Sequence, residues 1–229
     1  MARLEIALPE TALVRLAAYL DLLLDANTRV NLTAIKDRDE AWRRHIIDSL
    51  TLLPGFEPLA AGAKVIDVGS GGGLPGVPLA IALPEVQFTL LEATGKKARF
   101  LDDTARGLNL TNVRVINDRA ESVGQNRTHR EQYDVAVCRA IGPMRELLEY
   151  TLPLVKLGGR VLAMKGPKVE QELEAAADAM AVLGAGDVKV FDAYPEGFGV
   201  NTVIVSLIKE QPTPKQYPRL PGSPRHEPL

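Results

Sequence analysis

The sequence predicts an α/β protein. It should have a mostly parallel seven-stranded sheet with an antiparallel terminal hairpin, plus an N-terminal helical extension. Three observations predict this. After Gly62 short β-rich runs alternate with helical patterns, the grammar of a parallel sheet covered by helices on both faces. The last two runs are joined only by a Gly/Pro-containing turn region, too short for a crossover helix, so they pair antiparallel at one sheet edge. With 46% hydrophobic and 24% charged residues among 229, the chain can bury a sizeable core.

In the extension, residues 1–60, Leu13, Leu16, Ala17, Leu20, Leu23 and Leu24 recur at three-to-four spacing and mark a helix over Pro9–Asn27. Asn31–Thr33 turns the chain into a second helix, Arg38–Thr51, whose apolar stripe is Ile46, Ile47 and Leu50 and which Pro54-Gly55 ends. The sheet domain, 61–209, takes strands from Lys64–Val68, Gln87–Glu92, Val113–Asn117, Tyr133–Cys138 and Arg160–Lys165. Helices fall at Leu74–Leu83, Lys96–Leu108, Met144–Leu154 and Val169–Leu183, and Val188–Ala193 with Thr202–Ile208 makes the hairpin. Residues 210–229 are rich in proline and lack apolar periodicity, which predicts an extended, mobile tail.

Composition excludes several classes. No apolar run approaches the roughly 18–20 residues of a membrane-spanning helix, and the start lacks the basic-then-apolar layout of a signal peptide, so a cytoplasmic, membrane-free protein is expected. Cys138 is the only cysteine, so there is neither an internal disulfide nor a CxxC knuckle, and no His/carboxylate set has metal-ligand spacing. The formal net charge of −2 excludes a uniformly basic coat protein. Locally the charge is sorted: residues 93–130 hold eight Lys/Arg against four Asp/Glu, and residues 209–229 hold four against two. An enzyme that meets RNA over a limited surface remains open.

The most informative stretch is Val65-Ile-Asp-Val-Gly69-Ser-Gly71-Gly-Gly73-Leu-Pro-Gly76, between a predicted strand and a predicted helix. Glycines there let the backbone turn tightly and approach a ligand, which should lie beyond the carboxyl ends of the strands. Glu92 ends the second strand, where a carboxylate can accept both hydroxyls of a ribose; the plain alternative is a solvated acid beside a βα turn. Gly71-x-Gly73-x-x-Gly76 also satisfies the dinucleotide pattern, so the glycines alone do not choose the ligand. Asp67 does. A carboxylate at the strand end repels a pyrophosphate and attracts a cation, which favours S-adenosylmethionine, with its sulfonium and ammonium groups, over NAD(P).

Several segments together resemble the GidB/RsmG family. They are Asn31–Thr33, Arg44–Ser49, Asp67–Gly71, Gly73–Pro78, Leu91–Lys97, Arg119–Glu121, Cys138–Ala140 and Met164–Gly166, in order from about Asn31 to the tail. That resemblance implies a Rossmann-like class I methyltransferase that methylates N7 of a guanine in a conserved loop of bacterial 16S ribosomal RNA. It also implies that Gly69 and Leu74 contact the cofactor, that Glu92, Ala93 and Thr94 hold its ribose side, and that Ala120 and Glu121 read its adenine. Asp67, Gly71 and Gly73 complete the cofactor set, and Arg139 stands where cofactor and target base meet. Ser70 and Gly72 occupy slots where some relatives have Thr and Pro.

The segment after the fourth strand, Cys138-Arg-Ala-Ile-Gly-Pro143, lacks the Asn/Asp-Pro-Pro-aromatic pattern of exocyclic-amine methylation. Cys138 also lacks the setting of a nucleophilic thiol and reads as a small buried hydrophobe. Guanine N7 needs no general base, because its lone pair lies in the ring plane and carries no proton. Alignment is then the catalytic task, with Arg139 either donating to the guanine edge or RNA backbone, or pairing with a carboxylate such as Glu121.

His45, Asp48 and Ser49 share a helical face by spacing, which suits RNA contact or domain packing; one helix face lacks the amide nest a hydrolase needs. Arg44, His45, Lys96, Lys97, Lys165 and Arg219 are candidate RNA contacts, each weighed against a solvated surface charge. Lys215, Tyr217 and Arg225 share the tail with Arg219 and would order on RNA, or else form a frayed terminus. The expected partner is 16S rRNA or the small ribosomal subunit, with a metal-free monomer as the enzyme. The competing readings are an NAD(P)-binding oxidoreductase and a non-catalytic nucleotide-binding regulator.

Overall fold

Alternation along each strand sends successive side chains to opposite faces, and this sequence puts apolar residues on both. The computed structural model, which describes Ile6 and residues 8–56, 59–195, 198 and 200–229, realises the pattern as one sheet between two helical layers. The elements run α1 (Glu10–Asn27), α2 (Arg38–Ala41), a π-helical turn (Trp42–Ile47), α3 (Asp48–Leu50), β1 (Lys64–Val68), α4 (Gly76–Ala82), β2 (Gln87–Leu91) and α5 (Gly95–Gly107). They continue β3 (Val113–Ile116), α6 (Ala120–Gln125), β4 (Tyr133–Arg139), α7 (Met144–Thr151), β5 (Val155–Lys165), α8 (Val169–Ala175) and α9 (Ala177–Leu183). The chain closes with β6 (Ala185–Asp192), β7 (Val203–Lys209) and α10 (Ser223–His226).

The strand order is β3-β2-β1-β4-β5-β7-β6. β1 to β5 are parallel, and β7 pairs antiparallel with both β5 and β6. The terminal hairpin is therefore present, with its second strand inserted next to β5 and its first forming the sheet edge. Part of the predicted Tyr194–Gly199 turn, and the chain start, lie outside the described residues.

The pleat sorts the core. Ile66, Val68, Ala136, Cys138, Val161 and Ala163 face the layer of α7 to α9, while Val65, Val135, Val137, Leu162 and Met164 face the other way. On that second side Leu16, Leu20 and Leu23 of α1 pack with Val77 and Ile81 of α4 and Leu101 of α5. The helical extension thus shares its core with the sheet rather than standing apart.

Three expectations need correction. The helix predicted over Arg38–Thr51 passes through a π-helical turn at Trp42–Ile47, which rotates the residues beyond it relative to a regular helix. Val169–Leu183 is broken at Ala176 into α8 and α9. The tail is fastened down rather than mobile. Arg130 donates to the carbonyls of Thr213 and Tyr217, both at 2.7 Å, and Glu131 accepts from the Thr213 amide at 3.0 Å. Farther on, Arg219 donates to both oxygens of Glu149. A Pro-rich chain has few amide donors of its own, and here side chains of the sheet domain satisfy its carbonyls.

Candidate active site

Strand order reverses between β1 and β4, and in open α/β sheets ligands bind in the crevice above the carboxyl ends at such a point. The glycine-rich loop after β1 forms one wall. Gly69 has φ +73°, and a Cβ there would stand 2.5 Å from Cγ2 of Ile141, so neither backbone nor space admits a side chain. Gly73, at φ +95°, is similarly crowded by Val77. From below, the fully buried Tyr19 of α1 donates its hydroxyl to the Gly72 carbonyl at 2.7 Å. The extension therefore braces the loop.

Glu92 clamps the same loop from the end of β2. Its Oε2 accepts from the Gly71 amide at 2.9 Å and its Oε1 from the Thr94 amide at 2.7 Å. A carboxylate oxygen can accept two bonds, so each retains capacity for a ribose hydroxyl. Asp67 lies behind the loop, fully buried and not among the residues lining the cavity. Its Oδ2 accepts from the Gly76 amide at 3.0 Å, while Oδ1 has no hydrogen-bond partner among the described residues. Burial pushes its carboxyl up to about 7, against the lowering effect of its hydrogen bonds.

Above the strands is a cavity of about 450 Å³, within the usual range for small-molecule sites of about 300–1,000 Å³. Val68 and Gly69, Leu91 and Ala93, Asp118 to Glu121, and Ile141 to Pro143 line it from four successive strand ends, with Glu146, Tyr150 and Arg225 beyond. Its acidic residues outnumber its basic ones, an unsuitable setting for a pyrophosphate. The apolar contacts and the Glu92 clamp fit a neutral adenosine carrying cationic groups, as in S-adenosylmethionine. Asp67, expected from the sequence to attract those cations, is instead sealed behind the loop, where burial favours its protonated form and its carboxyl holds the Gly76 amide. Gly69, Ala93, Ala120 and Glu121 line the cavity, whereas Glu92 and Thr94 flank Ala93 without lining it, and Gly71 and Gly73 shape the loop rather than the cavity wall. Leu74 instead packs among the side chains between α1 and α4.

A second cavity, of about 280 Å³, opens on the other side of the loop after β4, between Arg139, Ala140 and the β5 end at Met164 to Gly166. Arg44, Asp48 and Glu172 complete much of its wall. Arg139 belongs to this cavity and not to the lining of the first. Ala140 has φ +55°, so the backbone between the cavities is held in a conformation unusual for a residue with a Cβ.

The π-helical turn meets Arg139 here. Arg139 Nη1 donates to the Arg44 carbonyl at 2.8 Å and Nη2 to Nδ1 of His45 at 3.2 Å, with Asp48 Oδ2 3.7 Å from Nη1. Guanidinium only donates, so Nδ1 is the acceptor and His45 carries its proton on Nε2, which donates to Thr33 Oγ1 at 2.7 Å. Burial, reinforced by the charge of Arg139, lowers the imidazole pKa to about 4. The Tyr194 hydroxyl donates to Asp48 Oδ1. His45 and Asp48 thus serve as internal supports of Arg139, and Ser49 turns back to the His45 carbonyl at 2.6 Å. Arg139 pairs with Asp48 rather than Glu121.

The candidate RNA residues separate. Lys96 is exposed and Lys97 half-exposed at the start of α5, and Arg44 is exposed at the rim of the second cavity. Lys165 lines that cavity but is tied to Glu172 at 2.5 Å and to the Gly142 carbonyl at 3.0 Å. Arg219 is engaged with the fully buried Glu149, which assigns it to folding rather than to phosphate contact. Cys138 is buried with its thiol pKa raised by burial, as an inert hydrophobe requires. Residues that sequence reasoning missed include Tyr19, Asp118, Ile141, Tyr150 and Tyr194. Asp118 had a local signal, since it precedes Arg119-Ala-Glu121 just beyond β3; Tyr194 had none, standing 146 residues from Asp48.

This strand order, with β7 antiparallel and a glycine-rich crevice between β1 and β4, defines a class I methyltransferase fold. Solved structures share it: a geranyl diphosphate C-methyltransferase from Streptomyces coelicolor (TM-score 0.52, 14% identity, 70% of this chain and 78% of that one). Another is the fibrillarin pre-rRNA processing protein from Methanococcus jannaschii (TM-score 0.52, 16% identity, 67% and 70%). The sequence goes further. The chain belongs to the GidB family, rRNA small subunit methyltransferase G, whose profile matches residues 12–195. Ribosomal RNA small subunit methyltransferase G of Moorella thermoacetica is 44% identical over 98% of this chain and 93% of its own length. Its counterpart from Chloroflexus aggregans is 45% identical over the same shares.

Proposed function

We propose that this protein transfers a methyl group from S-adenosylmethionine to N7 of a guanine in 16S ribosomal RNA, acting as a cytoplasmic monomer on the small subunit or its RNA. The observation that carries the reading is the pair of cavities at the carboxyl edge, one on each side of the loop after β4, with Arg139 facing the second. Family membership supplies the substrate class.

S-adenosylmethionine, when bound, supplies an electrophilic methyl on sulfonium. The chain's own residues bind, orient and exclude water. Glu92 and the glycine loop hold the ribose side, while Ala120 and Glu121 border the adenine. Guanine N7 presents an unprotonated lone pair, so no side chain has to remove a proton before attack. Arg139, with two of its five N–H donors already engaged by Arg44 and His45, holds the remaining donors in a fixed plane. Donation to the guanine O6 edge would align N7 with the methyl group. Arg44, Lys96 and Lys97 provide phosphate contacts around the mouth.

Transfer of labelled methyl to undermethylated small-subunit RNA, followed by nucleoside analysis, tests this. Label is expected in 7-methylguanosine, and label in any other nucleoside overturns the assignment.

A further inference from the structure

The C-terminal segment contributes a wall to the cofactor cavity. Arg225 lines it together with Tyr150 and Glu146, although more than one hundred residues separate it from the segment after β3, Asp118 to Glu121, that lines it as well. Its position is built rather than incidental. On its N-terminal side, the Gly222 amide donates to Oε1 of Glu121 at 2.8 Å, and Glu121 lines the same cavity. Arg219, just before, is held by its backbone amide and guanidinium on the buried Glu149. On the C-terminal side, Arg219 Nη2 reaches back to the Glu227 carbonyl at 2.8 Å, and Arg145 donates to the carbonyls of Pro228 and Leu229.

The turn that carries Arg225 is thus fixed on both flanks, while the guanidinium itself makes no hydrogen bond or ion pair among the described residues. Its charge reaches the Tyr150 hydroxyl, which burial and three glutamates push up to about 12 against the opposing effect of Arg225. A planar group with five donors, at the end of the cavity formed by Asp118 to Glu121, suits the acceptor nitrogens of an adenine ring.

Resting on the cofactor reading above, we propose that Arg225 is a cofactor-binding residue, donating to the adenine ring of S-adenosylmethionine from the C-terminal wall. The wall and the cofactor are then coupled through Glu121, which meets both.

Calorimetric titration of the full-length protein with S-adenosylhomocysteine and, separately, with adenosine tests it. Arg225→Ala is expected to weaken both ligands about tenfold, the loss of one charged hydrogen bond. Arg225→Lys should recover part of the loss. The thermal midpoint should stay at the wild-type value, because Arg225 holds nothing in the fold. Equal binding by wild type and Arg225→Ala overturns the inference alone. A loss for S-adenosylhomocysteine without a loss for adenosine also overturns it, since the contact would then lie at the amino-acid end. Wild-type protein that binds neither ligand overturns the cofactor reading together with this one.

Discussion

Arg139 Nη2 donates to Nδ1 of His45, and that bond dictates the protonation of the imidazole. Because the partner is a cation that can only donate, His45 is neutral with its proton on Nε2. Nitrogen-15 NMR should show this single tautomer from about pH 8 down to about pH 5, following a pKa lowered to about 4 by burial and then by Arg139. A titration near 6.5 with both nitrogens protonated would contradict the network.

Replacing the guanidinium should separate alignment from cofactor binding. Arg139→Ala is expected to leave the affinity for S-adenosylhomocysteine within about twofold and to lower methyl transfer about 100-fold, the scale on which misplacement by an ångström acts. Arg139→Lys keeps the charge without the fork and should fall between. A variant that loses cofactor affinity in proportion to its activity would refute the positioning role.

Asp67 predicts a pH dependence of opposite sign to that of an ordinary carboxylate. Burial lifts its folded pKa from 3.8 to about 7. Between those values the folded state keeps a proton that the unfolded chain has released, so stability falls as pH rises through the window, by at most about 4 kcal/mol. Asp67→Asn cannot lose a proton there. Urea unfolding should show the variant gaining on wild type between about pH 4 and pH 7, then a constant difference above about pH 8. A difference independent of pH would rule out titration of Asp67.

Gly69 allows a test of the loop geometry. Gly69→Ala imposes a left-handed alanine and a clash with Ile141, together costing about 1–3 kcal/mol. Adding Ile141→Ala shortens the obstructing side chain but leaves the backbone cost, so denaturant midpoints should recover only in part. Full recovery would mean that crowding alone excludes a side chain.

The assignment of Arg219 to the fold, rather than to RNA, is equally direct. Arg219→Ala leaves the buried Glu149 carboxylate without its cation and should cost about 3 kcal/mol, the low end for a buried pair because Arg219 is partly exposed. Glu149→Gln in the same chain should restore a large part, because a neutral amide tolerates burial better. Unchanged stability accompanied by weaker RNA binding would return Arg219 to the RNA surface.

Much of this architecture was legible in the sequence because it rests on local pattern. Strand periodicity, the glycines after Val68 and the acid ending β2 lie within short windows, and the parallel alternation leaves few topologies. The site was less legible wherever its parts come from distant segments. Nothing near Leu23 announces that Tyr19 braces the glycine loop, and the pairing of Tyr194 with Asp48 follows only from the insertion of β7 beside β5. The π-helical turn changed the meaning of the His45, Asp48 and Ser49 spacing, which a regular helix would have placed on one face. Proline content likewise suggested a loose tail, since composition does not show that Arg130, Arg145 and Glu149 would hold it.

By itself, then, the sequence determined the fold class, the glycine-rich crevice, the acid beside it and the family. Each is written in residue type and spacing along a few consecutive positions. Tertiary structure alone decided which charges remain available to a ligand. Arg219, Lys165 and Arg225 are alike in composition, yet one is bound to a buried glutamate, one is tied to Glu172, and one is left facing the cavity. A charged side chain is spent or free according to the partner the fold delivers at about 3 Å, and that partner stands 70 residues away in one case.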